Sequence, residues 1–332
     1  MRLAVMAAAL LLVGCAAGTV PMPPESQLHR PQLVQDAIIA EDGARLPLRI
    51  WVPDTPVVAT ILALHGFNDY SNAYAGPAAE WAKHGIATFA YDQRGFGQAP
   101  DRGLWVGTQR LGEDLVIASQ LVARRYPDVP HYIVGESMGG AVVIAAETGV
   151  EGIPKPVADG IILSAPAVWG RQQMNIFERT ALWIGDRVAP GMTLTGQGLN
   201  IQASDNIEML RALGRDPLVI KATRIDTIKG LVDLMGEAQA AAPRLTEPTL
   251  LLYGAHDELI PDDAMRKMIA ELPKKGAAHR RVAYYENGYH MLMRDLDAKL
   301  VLHDVESWVL DPAAPLPSGA DRNSLQLFAM GS

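Results

Sequence analysis

The chain predicts an α/β fold: a mainly parallel, eight-stranded sheet with helices on both faces and a helical cap inserted before its last two strands. Three observations carry this. Short β-branched apolar runs alternate with helical patterns along most of the sequence. One apolar run, Tyr132-Ile133-Val134, passes through Gly135-Glu136-Ser137-Met138-Gly139-Gly140 into the small-residue stretch Ala141 to Ala146, the order strand, sharp turn, helix. Between Ala165-Pro166 and Pro248 the alternation stops for about eighty residues, too long and too apolar for a loop.

Gln32 to Val52, with Asp42-Gly43 at its centre, reads as a hairpin that opens the sheet. Strands follow near Val57 to Leu64, Ile86 to Tyr91, His131 to Val134, Gly160 to Ser164, Thr249 to Tyr253 and Arg281 to Tyr285. Helical patterns fall near Ala73 to Lys83, Gly112 to Tyr126, Met138 to Glu147, Pro261 to Leu272 and Asp295 to Leu310. Strands separated by helices must run parallel and be covered on both sides. The domain therefore spans 32–310, with the cap at about 167–247. The 332 residues, 49% of them hydrophobic, suffice for one large core. Residues 311–332 are rich in Pro, Ala, Gly and Ser, the composition of a disordered tail.

Ser137 sits where chemistry is favoured. Flanking Gly135 and Gly139 let strand and helix approach closely, and the helix that starts at Met138 aims unpaired N–H groups at the serine. Composition alone would give a G-x-S-x-G string in about one random chain in ten, so its surroundings matter more than the string. Upstream, the strand ending at Leu64 runs into His65-Gly66-Phe67-Asn68-Asp69, a loop placed to supply an oxyanion donor. The main-chain N–H groups of Phe67 and Met138 are the candidate pair. His65 before glycine reads as a loop-orienting residue rather than a base. Downstream, Asp257 follows the strand Thr249 to Tyr253, and His290 follows Arg281 to Tyr285. Ser137, Asp257 and His290 thus form a candidate triad in the chain order of one class of serine hydrolase, each at a strand's carboxyl end. His290 would accept the serine proton, and Asp257 would select the useful tautomer. Glu258, Asp262 and Asp263 are the neighbouring acids, read as a solvated loop and an acidic first helical turn.

Together His65-Gly66-Phe67-Asn68, Tyr91 to Gly97, Gly135 to Gly140, Gly254 to Asp257 and Gly288-Tyr289-His290 resemble the monoacylglycerol lipase and lysophospholipase branch of the α/β-hydrolases, from about Leu33 to Leu310. The resemblance implies that fold, a Ser137–Asp257–His290 triad, oxyanion donors at Phe67 and Met138, and hydrolysis of monoacylglycerol-like or lysophospholipid esters. Many relatives carry His in place of Glu136, Gln93 and Phe96. A peptidase or amidase, or an acyltransferase, would use the same triad. An alternative of another class is a non-catalytic envelope-binding protein on this fold. Trp169, Phe177 and Trp183 of the cap, and Trp105 at the pocket mouth, are candidate substrate contacts.

Other classes are disfavoured. A net charge of −8 without a basic aromatic stripe argues against nucleic acid. Neither HExxH nor paired CxxC occurs, so neither metal nor cofactor is expected. Gly95-Phe96-Gly97 lacks the third glycine and the helix of a dinucleotide loop. At the amino terminus Arg2, the apolar run Leu3 to Val13 and Leu12-Val13-Gly14-Cys15 read as a bacterial lipoprotein signal, 1–14, cleaved before the chain's single cysteine. Lipidated Cys15 and a Pro-rich tether, 15–31, would hold the domain at a membrane of the cell envelope, the outer membrane by the residue after the cysteine. A secreted or periplasmic enzyme is the alternative.

Overall fold

The computed structural model describes residues 28–196, 198–274, 279–322 and 324. The proposed signal peptide, Cys15 and most of the tether lie outside them. Three short antiparallel strands begin the sheet: β1 (Gln32–Val34), β2 (Ala37–Ile39) and β3 (Arg45–Trp51). The sheet consequently has nine strands, one more than expected. A tight turn at 35–36 divides in two what the alternation joins.

The parallel part follows: β4 (Ala59–Leu64), α1 (Ala75–Ala82), β5 (Ile86–Tyr91), α2 (Thr108–Arg125), β6 (His131–Glu136), α3 (Met138–Glu147) and β7 (Gly160–Ser164). The cap contains α4 (Ile176–Val188), β8 (Thr193–Thr195), α5 (Ile207–Arg215), β9 (Ala222–Arg224) and α6 (Ile225–Ala241). It is helical as expected, except that β8 and β9 pair as a small antiparallel ribbon. Then come β10 (Thr249–Gly254), α7 (Asp262–Glu271), β11 (Arg280–Tyr285) and α8 (Ala298–Leu310). Strand order is β1-β2-β3-β5-β4-β6-β7-β10-β11.

Every residue of β4, β5, β6, β7 and β10 is buried, as parallel strands covered on both faces must be. Alternate side chains feed two separate cores. Leu62, Leu64, Phe89 and Ile133 pack with α2, α3 and α6, whereas Ile61, Ala63, Val134 and Leu252 pack with Trp81 of α1 and Trp308 of α8. Helix α3 is buried from Met138 through Ala146, which explains its run of small side chains.

The described part of the expected disordered tail, 311–322, instead packs on the domain. Leu316 is buried, Ser318 N–H donates to Asp304 Oδ1 at 3.0 Å, and Tyr284 N–H donates to Ala320 O at 3.0 Å. Composition misleads there because one buried leucine and a buried aspartate suffice to pin the segment.

Candidate active site

The functional loops leave the carboxyl ends of β4, β6, β10 and β11. Pairing of Leu64 with Gly135 sets the loop after β4 beside the turn after β6, and pairing of Gly254 with Tyr285 aligns the ends of β10 and β11. At the turn, Ser137 adopts φ 54° and ψ −116°, a conformation L residues rarely hold. Three main-chain bonds hold it there: Ser137 N–H to Ser164 O at 2.9 Å, and Ser137 O to Ala167 and Ala141 N–H at 2.9 and 3.1 Å. A Cβ at Gly139 would lie 2.3 Å from Leu64 O, so only glycine allows this approach of helix to strand. Ser137 precedes a helix yet makes no side-chain cap bond, which leaves its hydroxyl for other work.

The structure joins the other two predicted triad members. His290 Nδ1 lies 2.8 Å from Asp257 Oδ2, with both side chains almost wholly buried. A carboxylate only accepts, so Nδ1–H donates and Nε2 carries the free lone pair. Asp257 Oδ1 meanwhile accepts the N–H groups of Leu259 and Ile260 at 2.8 and 2.9 Å, which fixes the carboxylate plane. Main-chain bonds sew the acid and base loops together, Ala255 N–H to Tyr285 O and His256 N–H to Gly288 O. Burial alone would push His290 down, but the charge and hydrogen bond of Asp257, helped by Glu136, hold it above the usual imidazole value. Among the described residues no hydrogen bond joins Ser137 Oγ to His290; such pairs commonly tighten only as substrate is engaged. The neighbouring acids are occupied elsewhere. Glu258 accepts from Gln202 N–H at 2.6 Å, Asp262 pairs with Arg266, and Asp263 accepts from Ala264 N–H at 2.8 Å.

The loop carrying Phe67, the candidate oxyanion donor, is equally fixed. A side chain at Gly66 would come within 3.4 Å of Ser137 Cβ, so the stretch carrying Phe67 runs directly over the serine. Met138 opens α3, where its N–H has no acceptor within the helix. His65 has the orienting role expected of it: Nδ1–H donates to Gly66 O at 2.8 Å, and Nε2 accepts Gln93 N–H at 3.0 Å. Both nitrogens are engaged, and burial lowers the imidazole's affinity for a further proton.

The four candidate substrate contacts have different surroundings. Trp105 packs its ring on Gly230 of α6, and Trp169 is half-buried against the core. Phe177 and Trp183 are 83% and 52% exposed on α4, with Arg187 4.2 Å above the Trp183 ring. No residue of α4 is fully buried, and Trp183 lines a shallow surface cavity with Ile176 and Thr180. Sequence reasoning missed the polar partners of the loops: Asn68 Nδ2 donates to Thr223 Oγ1 of β9 at 2.8 Å, and Arg294 pairs with Asp69 and Glu136. A carboxylate immediately before the serine, Glu136, was the one available signal.

The family model described as serine aminopeptidase, S33, matches residues 55–297. This chain belongs to that serine hydrolase family. Proteins similar to this chain include mouse monoglyceride lipase, 30% identical over 290 residues, covering 85% of this chain and 92% of that protein. Monoacylglycerol lipase of Mycolicibacterium smegmatis is 26% identical over 280 residues, covering 81% and 94%. Among solved structures, a soluble variant of Saccharomyces cerevisiae monoglyceride lipase in complex with a substrate analog aligns at TM-score 0.69 and 19% identity, covering 89% and 100%. Paleococcus ferrophilus monoacylglycerol lipase aligns at TM-score 0.62 and 21% identity, covering 80% and 99%. These likenesses establish the α/β-hydrolase fold.

Proposed function

We propose that this S33-family hydrolase cleaves the carboxylic ester of single-chain acyl lipids, monoacylglycerol-like first and lysophospholipids second, through an acyl-Ser137 intermediate. The Asp257–His290 pair carries the reading. With Nδ1–H committed to the carboxylate, Nε2 is the nitrogen left to take a proton. As Ser137 Oγ bonds to the ester carbon, its proton passes to Nε2, and Asp257 stabilises the imidazolium. Negative charge on the former carbonyl oxygen falls toward the N–H groups of Phe67 and Met138. Collapse expels the alcohol with the proton from His290, and water repeats the sequence to release the fatty acid. The acyl-glycerol substrate class rests on the likeness to proteins named monoacylglycerol and monoglyceride lipase.

An amide-cleaving reading draws on the aminopeptidase description of the family. Steady-state rates on monoacylglycerols and lysophospholipids of increasing chain length, p-nitrophenyl esters and amino-terminal peptide amides separate the readings. The expected result is a higher kcat/KM for decanoyl than for acetyl esters and no measurable peptide cleavage. A preference for acetate or for peptides overturns the lipid reading. We also propose a bacterial envelope location through lipidated Cys15, based on Leu12 to Cys15. A Cys15→Ser protein should move from the membrane fraction to the soluble one, and equal partitioning with wild type contradicts the anchor.

A further inference from the structure

Three loops that each carry a catalytic group meet at one guanidinium. Arg294 lies four residues after His290; its Nη1 donates to Asp69 Oδ2 at 2.7 Å and its Nη2 to Glu136 Oε1 at 2.5 Å. All three side chains are at least nine-tenths buried. Asp69 is two residues past Phe67, and Glu136 immediately precedes Ser137. Arg294 is itself staked: its carbonyl accepts from Asn206 Nδ2 at 3.0 Å, and the adjacent Asp295 accepts Tyr289 N–H at 2.8 Å, bracketing the base loop. Desolvating one cation and two carboxylates costs about as much as their attraction returns, so such a triad is a weak source of stability. Its geometry is specific, because a planar fork meets two acceptors from different loops in one arrangement.

We propose that Arg294 is a positioning residue that, through Asp69 and Glu136, sets the spacing of His290 from Ser137 and from the Phe67 oxyanion donor. This rests on the hydrolytic reading of the same site. The charges also tune the base: Asp257 and Glu136 raise the affinity of His290 for a proton, and Arg294 lowers it. Tyr74, Asp295 and the neutral His65 stand around the clamp as well, each within electrostatic reach of Glu136.

Two variants test this, each first confirmed folded by circular dichroism. Arg294→Lys keeps the charge but cannot span both carboxylates; kcat should fall about 10- to 100-fold with KM within about threefold and the pH profile in place. Glu136→Gln removes a negative charge beside the base. His290 then loses its proton more readily, so the acid limb of kcat/KM should move down by about 0.5–1 pH unit. A folded Arg294→Lys enzyme with wild-type kcat, or a Glu136→Gln enzyme with its acid limb unmoved, overturns the proposal. If Arg294→Lys does not fold, Glu136→Gln decides alone. Labelling of wild type by a fluorophosphonate separates the two levels, since an unlabelled wild type would discredit the hydrolytic reading and not the clamp.

Discussion

The platform of loops above the sheet and the outer helix of the cap are built on opposite principles. On the platform the groups around the candidate triad are buried and paired: His65 with Gly66 and Gln93, Asp257 with His290 and two main-chain N–H groups, the Arg294 Nη groups with two carboxylates. Helix α4 has a complete capping box at Asn175 and Glu178, so it is locally well specified, yet none of its residues is buried. Helix α6, in the same insertion, docks through Leu234, Met235 and Ala238. The cap is therefore fastened at its base and open at its outer helix. Geometry essential to chemistry resides where burial makes every displacement costly, and apolar surface is displayed where displacement costs little.

Substitutions can break or sharpen this contrast. Ser137→Ala should remove turnover by on the order of 10⁶-fold in kcat, measured beside an unchanged melting temperature. Asp257→Asn should cost roughly 10⁴-fold, because an amide in place of the carboxylate favours the wrong imidazole tautomer. A fully active Asp257→Asn enzyme would transfer the acid role to a neighbour. Trp105→Ala, which strips the ring from Gly230, should lower stability by about 2–4 kcal/mol in denaturant unfolding. Phe177→Ser, on the exposed helix, should change it by less than about 0.5 kcal/mol in the same measurement.

Between these last two in size lies a pH effect on the platform's underside. Glu147 ends α3 with neither carboxylate oxygen hydrogen-bonded; burial pushes it up to about 8, Lys155 at 3.8 Å pulling it down and Glu247 pushing it up. An unfolded glutamate titrates near 4.5. Across that window the folded chain holds the extra proton, so this residue's contribution is full at low pH and is lost as pH rises toward 8. Glu147→Gln should therefore raise stability at pH 8 by about 1–3 kcal/mol and leave it nearly unchanged at pH 4.5. Melting temperatures of both proteins between pH 4.5 and 9 check the slope.

The fold and the triad candidates were readable from sequence because their signals are local. A strand of β-branched residues, a glycine-flanked serine and a histidine after Gly288 each declare themselves within ten residues, and their order supplies the rest. The clamp was not readable, since its ion pairs join residues 225 and 158 positions apart, and no periodicity reports a guanidinium's partners. The three-residue strands of the cap fall below the length at which alternation can be recognised. For Phe177 and Trp183, residue type predicts burial and helix periodicity predicts a face, but neither says whether anything covers that face.

The most direct test of the central claim is intact-mass and peptide mass spectrometry after exposure to a fluorophosphonate. Wild type should gain one adduct, mapped to Ser137, and His290→Ala should gain it far more slowly. A folded wild type that stays unmodified, or that carries its adduct on a different serine, would contradict the account.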